Sequence, residues 1–91
     1  MFETMKVIEI KNITKKNIPL HYRNEFSGDA VLQLPPDRKE EKPLEFVVEH
    51  SATGDLHIKV HLLEKIDYPL IPALHCLKDH IRELQRKGEL Q

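Results

Sequence analysis

Two periods organise the chain. From residue 44 the apolar positions recur every second residue: Leu44, Phe46 and Val48 are separated by Glu45, Val47 and Glu49, and Leu56, Ile58, Val60 and Leu62 by His57, Lys59 and His61. A period of two puts alternate side chains on opposite faces of an extended segment, so residues 44–50 and 56–63 read as two strands. Ser51–Asp55 between them suits a three-residue loop, Ala52–Gly54, with Gly54 in the left-handed conformation. That closure sets Phe46 opposite Val60 and Val48 opposite Ile58 on the inner face. On the outer face it sets Glu45 opposite His61, Glu49 opposite His57 and Val47 opposite Lys59. A slip of one residue would bring each inner face against the other's outer face, so the hairpin 44–63 has a defined register.

After residue 69 the period changes. Leu70, Leu74, Leu77, Ile81 and Leu84 follow spacings of four and three, widened by Ala73 and Ile71, which predicts an amphipathic helix over about 70–87. Pro69 and Pro72 suit its entry, and Gly88 its stop. The earlier segments are shorter. Residues 5–11, 18–23 and 30–34 read as strands, with the faces of KVIEIK ambiguous and Pro19 restricting 18–23 to an edge. Asn24–Asp29 reads as a loop, and Asp37–Pro43 (DRKEEKP) as a solvated connector. The expected fold is α+β: a four- to five-stranded, mainly antiparallel sheet covered by one C-terminal helix, with 1–91 as a single domain.

Composition narrows the possibilities. At 91 residues, 40% hydrophobic and 32% charged, the chain has one core's worth of apolar residues. A domain of this size buries only about 60–65% of its unfolded surface, which favours self-association as a source of stability. Fourteen basic and fifteen acidic residues leave a net charge of −1, without the basic excess of a dedicated nucleic-acid binder. Cys76 is the only cysteine, so no intrachain disulfide or cysteine-rich zinc site can form. Met1–Lys6 lacks an apolar leader, and no run approaches the roughly 20 apolar residues of a membrane span. The chain reads as cytoplasmic, with no membrane partner.

Candidate chemistry is sparse. His57 and His61 share a strand face but stand about 13 Å apart, too far to chelate one ion, and read as partners of Glu49 and Glu45. Cys76, His80 and Glu83 share a helix flank, yet a structural zinc site needs four ligands and nucleophilic catalysis needs an orienting third group. Only three glycines are present, Gly28, Gly54 and Gly88, and they cannot build a phosphate loop. No catalytic residue, metal ligand or cofactor is expected, and the chain reads as non-enzymatic.

Two functional expectations remain. One helix covers one face of a sheet, and Val7, Val31, Val47 and Leu63 read as pointing to the other. Val31, Val47 and Leu63 therefore form a candidate interaction surface for a protein partner or a homodimer. The alternative is a single-stranded nucleic-acid-binding accessory protein using Lys11, Lys15, Lys16 and Arg23, with His21 and Tyr22 beside them. Several antiparallel strands followed by one helix resemble, in order of elements, the single-stranded-DNA-binding coactivator and Pur-type domains. The likeness concerns topology and carries no site residues.

Overall fold

In the computed structural model, which describes residues 4–90, the chain forms four strands and one helix: β1 Lys6–Lys15, β2 Arg23–Leu34, β3 Arg38–His50, β4 Leu56–Leu62 and α1 Leu70–Arg86. Met1–Glu3, where the leader reading begins, and Gln91 lie outside the described residues. The strands pair in sequence order as one antiparallel sheet, β1-β2-β3-β4. The fold is α+β, as the two periods require. At about 3.4 Å per residue, the 12 and 13 residues of β2 and β3 account for the 41 Å long axis.

The hairpin forms in the expected register, Phe46 opposite Val60, Val48 opposite Ile58, Glu45 opposite His61, Glu49 opposite His57 and Val47 opposite Lys59. Ser51 N–H donates to the Asp55 carbonyl at 2.9 Å and closes the loop, and Gly54 takes φ +88°. The inner faces of β2, β3 and β4 supply Phe26, Ala30, Leu32, Leu34, Leu44, Phe46, Val48 and Ile58 to one buried core. Phe26 and Phe46 stack at its centre, ring centroids 5.0 Å apart.

The N-terminal half departs from expectation in three places. Residues 18–23 are not a strand: the segment from Lys16 to Tyr22 is the β1–β2 loop, because Pro19 removes a ladder donor and the apolar core is supplied from β2 instead. Asn24–Asp29 is not a loop but the first half of β2, with Phe26 buried and Gly28 paired with Leu44. Asp37–Pro43 is not a connector either, since Arg38–Pro43 begin β3, paired with β2 from Leu34 to Asp29. Pro43 is tolerated because its carbonyl faces the end of β4, accepting from Leu63 N–H at 3.0 Å. The donor it lacks would point the same way, so the β2–β3 ladder loses nothing.

Strand β1 is shortened against β2 by two irregularities, at Ile8 and at Asn12–Ile13, where Asn12 takes φ +56°. The extra residue at Ile8 reverses the alternation, so Val7 opposite Leu32 and Ile10 opposite Ala30 both pack on the core side. That explains the ambiguous pattern of KVIEIK and corrects Val7, which belongs to the core and not to the outer face. Gly28 lies under the second irregularity. A Cβ there would stand 3.1 Å from the Lys11 carbonyl oxygen and 3.2 Å from Ile10 Cγ2. Because the nearest atom is backbone, Gly28→Ala is expected to cost about 1–3 kcal/mol, read as a fall in thermal midpoint with a native circular-dichroism spectrum.

Helix α1 lies against the two edge strands, β4 and β1. Its buried line is Ala73, Leu77 and Ile81. The small side chain of Ala73 takes the place expected of Leu74 and Leu70. The helix ends on a Schellman motif: Glu89 N–H donates to the Leu84 carbonyl and Gly88 N–H to that of Gln85, with Gly88 at φ +74°.

Candidate functional site

The outer face of the sheet is a field of paired charges. Lys11 meets Glu41 at 3.1 Å, Lys16 meets Glu45 at 2.6 Å, and Arg23 bridges Glu25 at 2.9 Å and Glu49 at 3.4 Å. Three of the four cations expected to contact nucleic acid are therefore committed to carboxylates; among the described residues, Lys15 makes no ion pair. The Lys16 pair holds the Glu45 carboxyl below its ordinary range, chiefly by its hydrogen bond, and raises the Lys16 ammonium for the same reason. Val31 and Val47 do lie on this face. Val31, however, is only 8% exposed, set between Glu9 and Glu41 on the neighbouring strands, and Val47 is half-buried between Glu25 and Lys59. The uncovered face thus presents charge, and its two valines do not make an exposed apolar row.

The third residue of that expected surface, Leu63, sits elsewhere, just past the end of β4, and is 47% exposed. Leu70 and Ile71, at the start of α1, are 54% and 63% exposed. Among the described residues six large apolar side chains are exposed, and these three belong to one corner, the β4–α1 junction. A shallow groove of about 320 Å³ runs between Leu63, Ile66, Tyr68 and Leu70, with Glu64 and Lys65 on its rim.

What holds this corner in place is the charged run of β3. Arg38 reaches Asp67 at 3.3 Å and donates to its backbone carbonyl at 3.4 Å, while Lys42 stands 3.8 Å from Glu64. Arg38 and Lys42 also flank Glu40, at 3.1 and 3.4 Å. The first half of β3 extends beyond the end of β4, and the 63–69 loop lies along it, fastened by these ions. On its core side the loop is tied by Tyr68, whose hydroxyl accepts from Met5 N–H at 3.3 Å.

The helix flank carries no reactive constellation. Cys76 is partly buried with Sγ 3.9 Å from the Met5 carbonyl, and Glu83 is bound by Arg86. Among the described residues no group of three His, Cys, Asp or Glu side chains could hold a metal ion, and no helix is long and apolar enough to cross a membrane. His80 is partly buried. Desolvation, with Lys87 nearby, lowers its pKa below the ordinary 6.5, and Glu89 opposes this. A base whose folded pKa is depressed favours folding when neutral, so its contribution is lost as pH falls below the unfolded value. The expected outcome is a urea midpoint that declines from pH 7.5 to 5.5, with a shallower decline in His80→Gln.

All five elements fall within residues 2–86, the span over which the chain matches a single protein-family model, that of the BB-0187 family. The chain belongs to this family. No curated protein matches it, and no solved structure does. Membership of the family names no ligand or reaction, so a function has to be argued from the surfaces just described.

Spacing alone places Leu70 and Ile71 of this family member in the helix's core stripe. Leu70 does lie close to the buried line by angle, but as the first helical residue it overhangs the sheet and turns to the groove; Ile71 is a full 100° round from it. The available signal is Ala73: a small residue in register with Leu77 and Ile81 marks where a helix approaches a sheet closely, and it shifts the stripe away from Ile71.

Proposed function

We propose that this chain is a non-enzymatic, cytoplasmic interaction domain that self-associates through the β4–α1 corner. The observation that carries this reading is the gathering of Leu63, Leu70 and Ile71, each about half exposed, around one groove. Exposed apolar side chains brought together in this way mark contact surfaces more than isolated ones do. A second copy is favoured as the occupant by charge. Lys65 makes no ion pair among the described residues, while Glu64 has only Lys42, 3.8 Å away. Adjacent opposite charges on the rim of an apolar patch are self-complementary under a twofold axis, which sets Lys65 against the partner's Glu64. A standard interface of about 800 Å² per partner would cover about an eighth of the chain's 6240 Å².

The test that locates the surface is a half-labelled sample, methyl-labelled chain mixed with unlabelled chain, examined by isotope-filtered NOE. Intermolecular NOEs from the methyls of Leu63, Leu70 and Ile71 are expected. Intermolecular NOEs confined to Val31 and Val47 would move the interface to the outer face, and none at millimolar concentration would remove self-association.

A further inference from the structure

A second cleft lies at the opposite end of the sheet from this corner. It has a volume of about 460 Å³ and is walled by the β1–β2 loop: Lys15, Lys16, Asn17, Ile18, Leu20 and His21, with Asn24 on β2. Two features set it apart from the rest of the surface. Acidic residues outnumber basic ones in this chain, 15 to 14, yet no carboxylate lines this cleft. Its lining also combines two ammonium groups and two carboxamides with the aliphatic side chains of Ile18 and Leu20.

The loop is held at both ends. Lys16 N–H donates to the Glu25 carbonyl at 2.8 Å, and the Tyr22 carbonyl accepts from His50 N–H at 2.8 Å. Tyr22, 53% exposed, stands at the loop's C-terminal end between His21 and Arg23. Cations for an oxyanion, amides for polar edges, an apolar wall and an accessible aromatic ring nearby are the elements with which proteins hold a phosphorylated, flat heterocycle.

We propose that the β1–β2 loop cleft binds a nucleotide unit, its phosphate between Lys15 and Lys16 and its base against Ile18 and Leu20. The unit is either a free mononucleotide or one residue of a single strand whose next base stacks on Tyr22. Of the four cations the sequence suggests, only Lys15 and Lys16 take part. Lys11 and Arg23 are committed to Glu41 and to Glu25 and Glu49 on the sheet face. Asn17, His21 and Asn24 replace them. Lys16 is shared with Glu45, 2.6 Å away, so the carboxylate competes with the ligand and sets its affinity.

The experiment is a titration of the full chain, isotope-labelled, with three probes at low salt: inorganic phosphate, AMP, and a ten-residue oligothymidylate. Amide shifts confined to residues 15–24 are expected. Lys15→Ala/Lys16→Ala should weaken binding about tenfold or more, and Glu45→Gln should tighten it by freeing Lys16. Both sets of side chains are exposed, so folding should survive. AMP bound with no oligothymidylate assigns the free ligand, and the reverse assigns the strand; either result supports the cleft. The proposal is overturned if inorganic phosphate binds as tightly as AMP. It is overturned equally if the shifts lie outside residues 15–24, or if the double substitution leaves affinity unchanged.

Discussion

Phe46→Ala is expected to lower the thermal midpoint by about 20 °C. Phe46 is fully buried, is paired with Val60 across the hairpin, and stacks on Phe26 at 5.0 Å. Removing a buried phenylalanine ring costs about 3–5 kcal/mol, because the transfer free energy is lost and the cavity collapses only in part. A chain of 91 residues has a total stability of only about 5–14 kcal/mol, so the loss is a large fraction of it. At roughly 4–8 °C per kcal/mol for a domain of this size, the shift is read directly by calorimetry. Val47→Ala is the control: its neighbour in sequence sits half-buried on the charged face, and less than about 1 kcal/mol should be lost. Equal shifts for the two variants would contradict the assignment of faces.

Leu63→Glu/Ile71→Glu is expected to abolish self-association while leaving the fold intact. Both side chains are about half exposed in the single chain, and neither belongs to the buried core. In a twofold contact each carboxylate would be desolvated opposite an apolar surface, a penalty of several kcal/mol per site. Two such changes per chain, doubled by symmetry, exceed what a micromolar association of about 8 kcal/mol supplies. Unchanged circular dichroism together with a monomeric mass is the expected pair of observations; unfolding of the variant would place these residues in the core instead.

The C-terminal half of the fold is legible in the sequence because its two periods are clean. The hairpin's register follows from a glycine-closed turn together with matched faces, Phe46 with Val60 inside and Glu45 with His61 outside. The N-terminal half is obscured by residues whose role depends on neighbours. A bulge at Ile8 breaks the alternation of β1, and a charged run at Arg38–Lys42 looks solvated although it pairs with β2 and fastens the 63–69 loop. Pro43 looks like a stop, whereas its missing donor faces the end of β4.

The same physics governs the candidate surfaces. Hydrophobic count alone points to the outer face, but the cross-strand charges around Val31 and Val47 become visible only when the register of all four strands is known. Leu63 is legible as an apolar residue the helix does not cover, while its neighbours Leu70 and Ile71 come into view only from the helix's rotation and overhang. The four suggested cations divide in two once their partners are seen. Lys11 and Arg23 belong to the sheet's ion pairs, and Lys15 and Lys16 to the cleft.

The most direct measurement of the proposed self-association is multi-angle light scattering of the purified chain at about 50 µM beside Leu63→Glu/Ile71→Glu. The expected wild-type mass is near twice the 10.7 kDa of one chain, and the expected variant mass is near 10.7 kDa. A wild-type mass of one chain, unchanged at higher concentration, would contradict self-association through this corner.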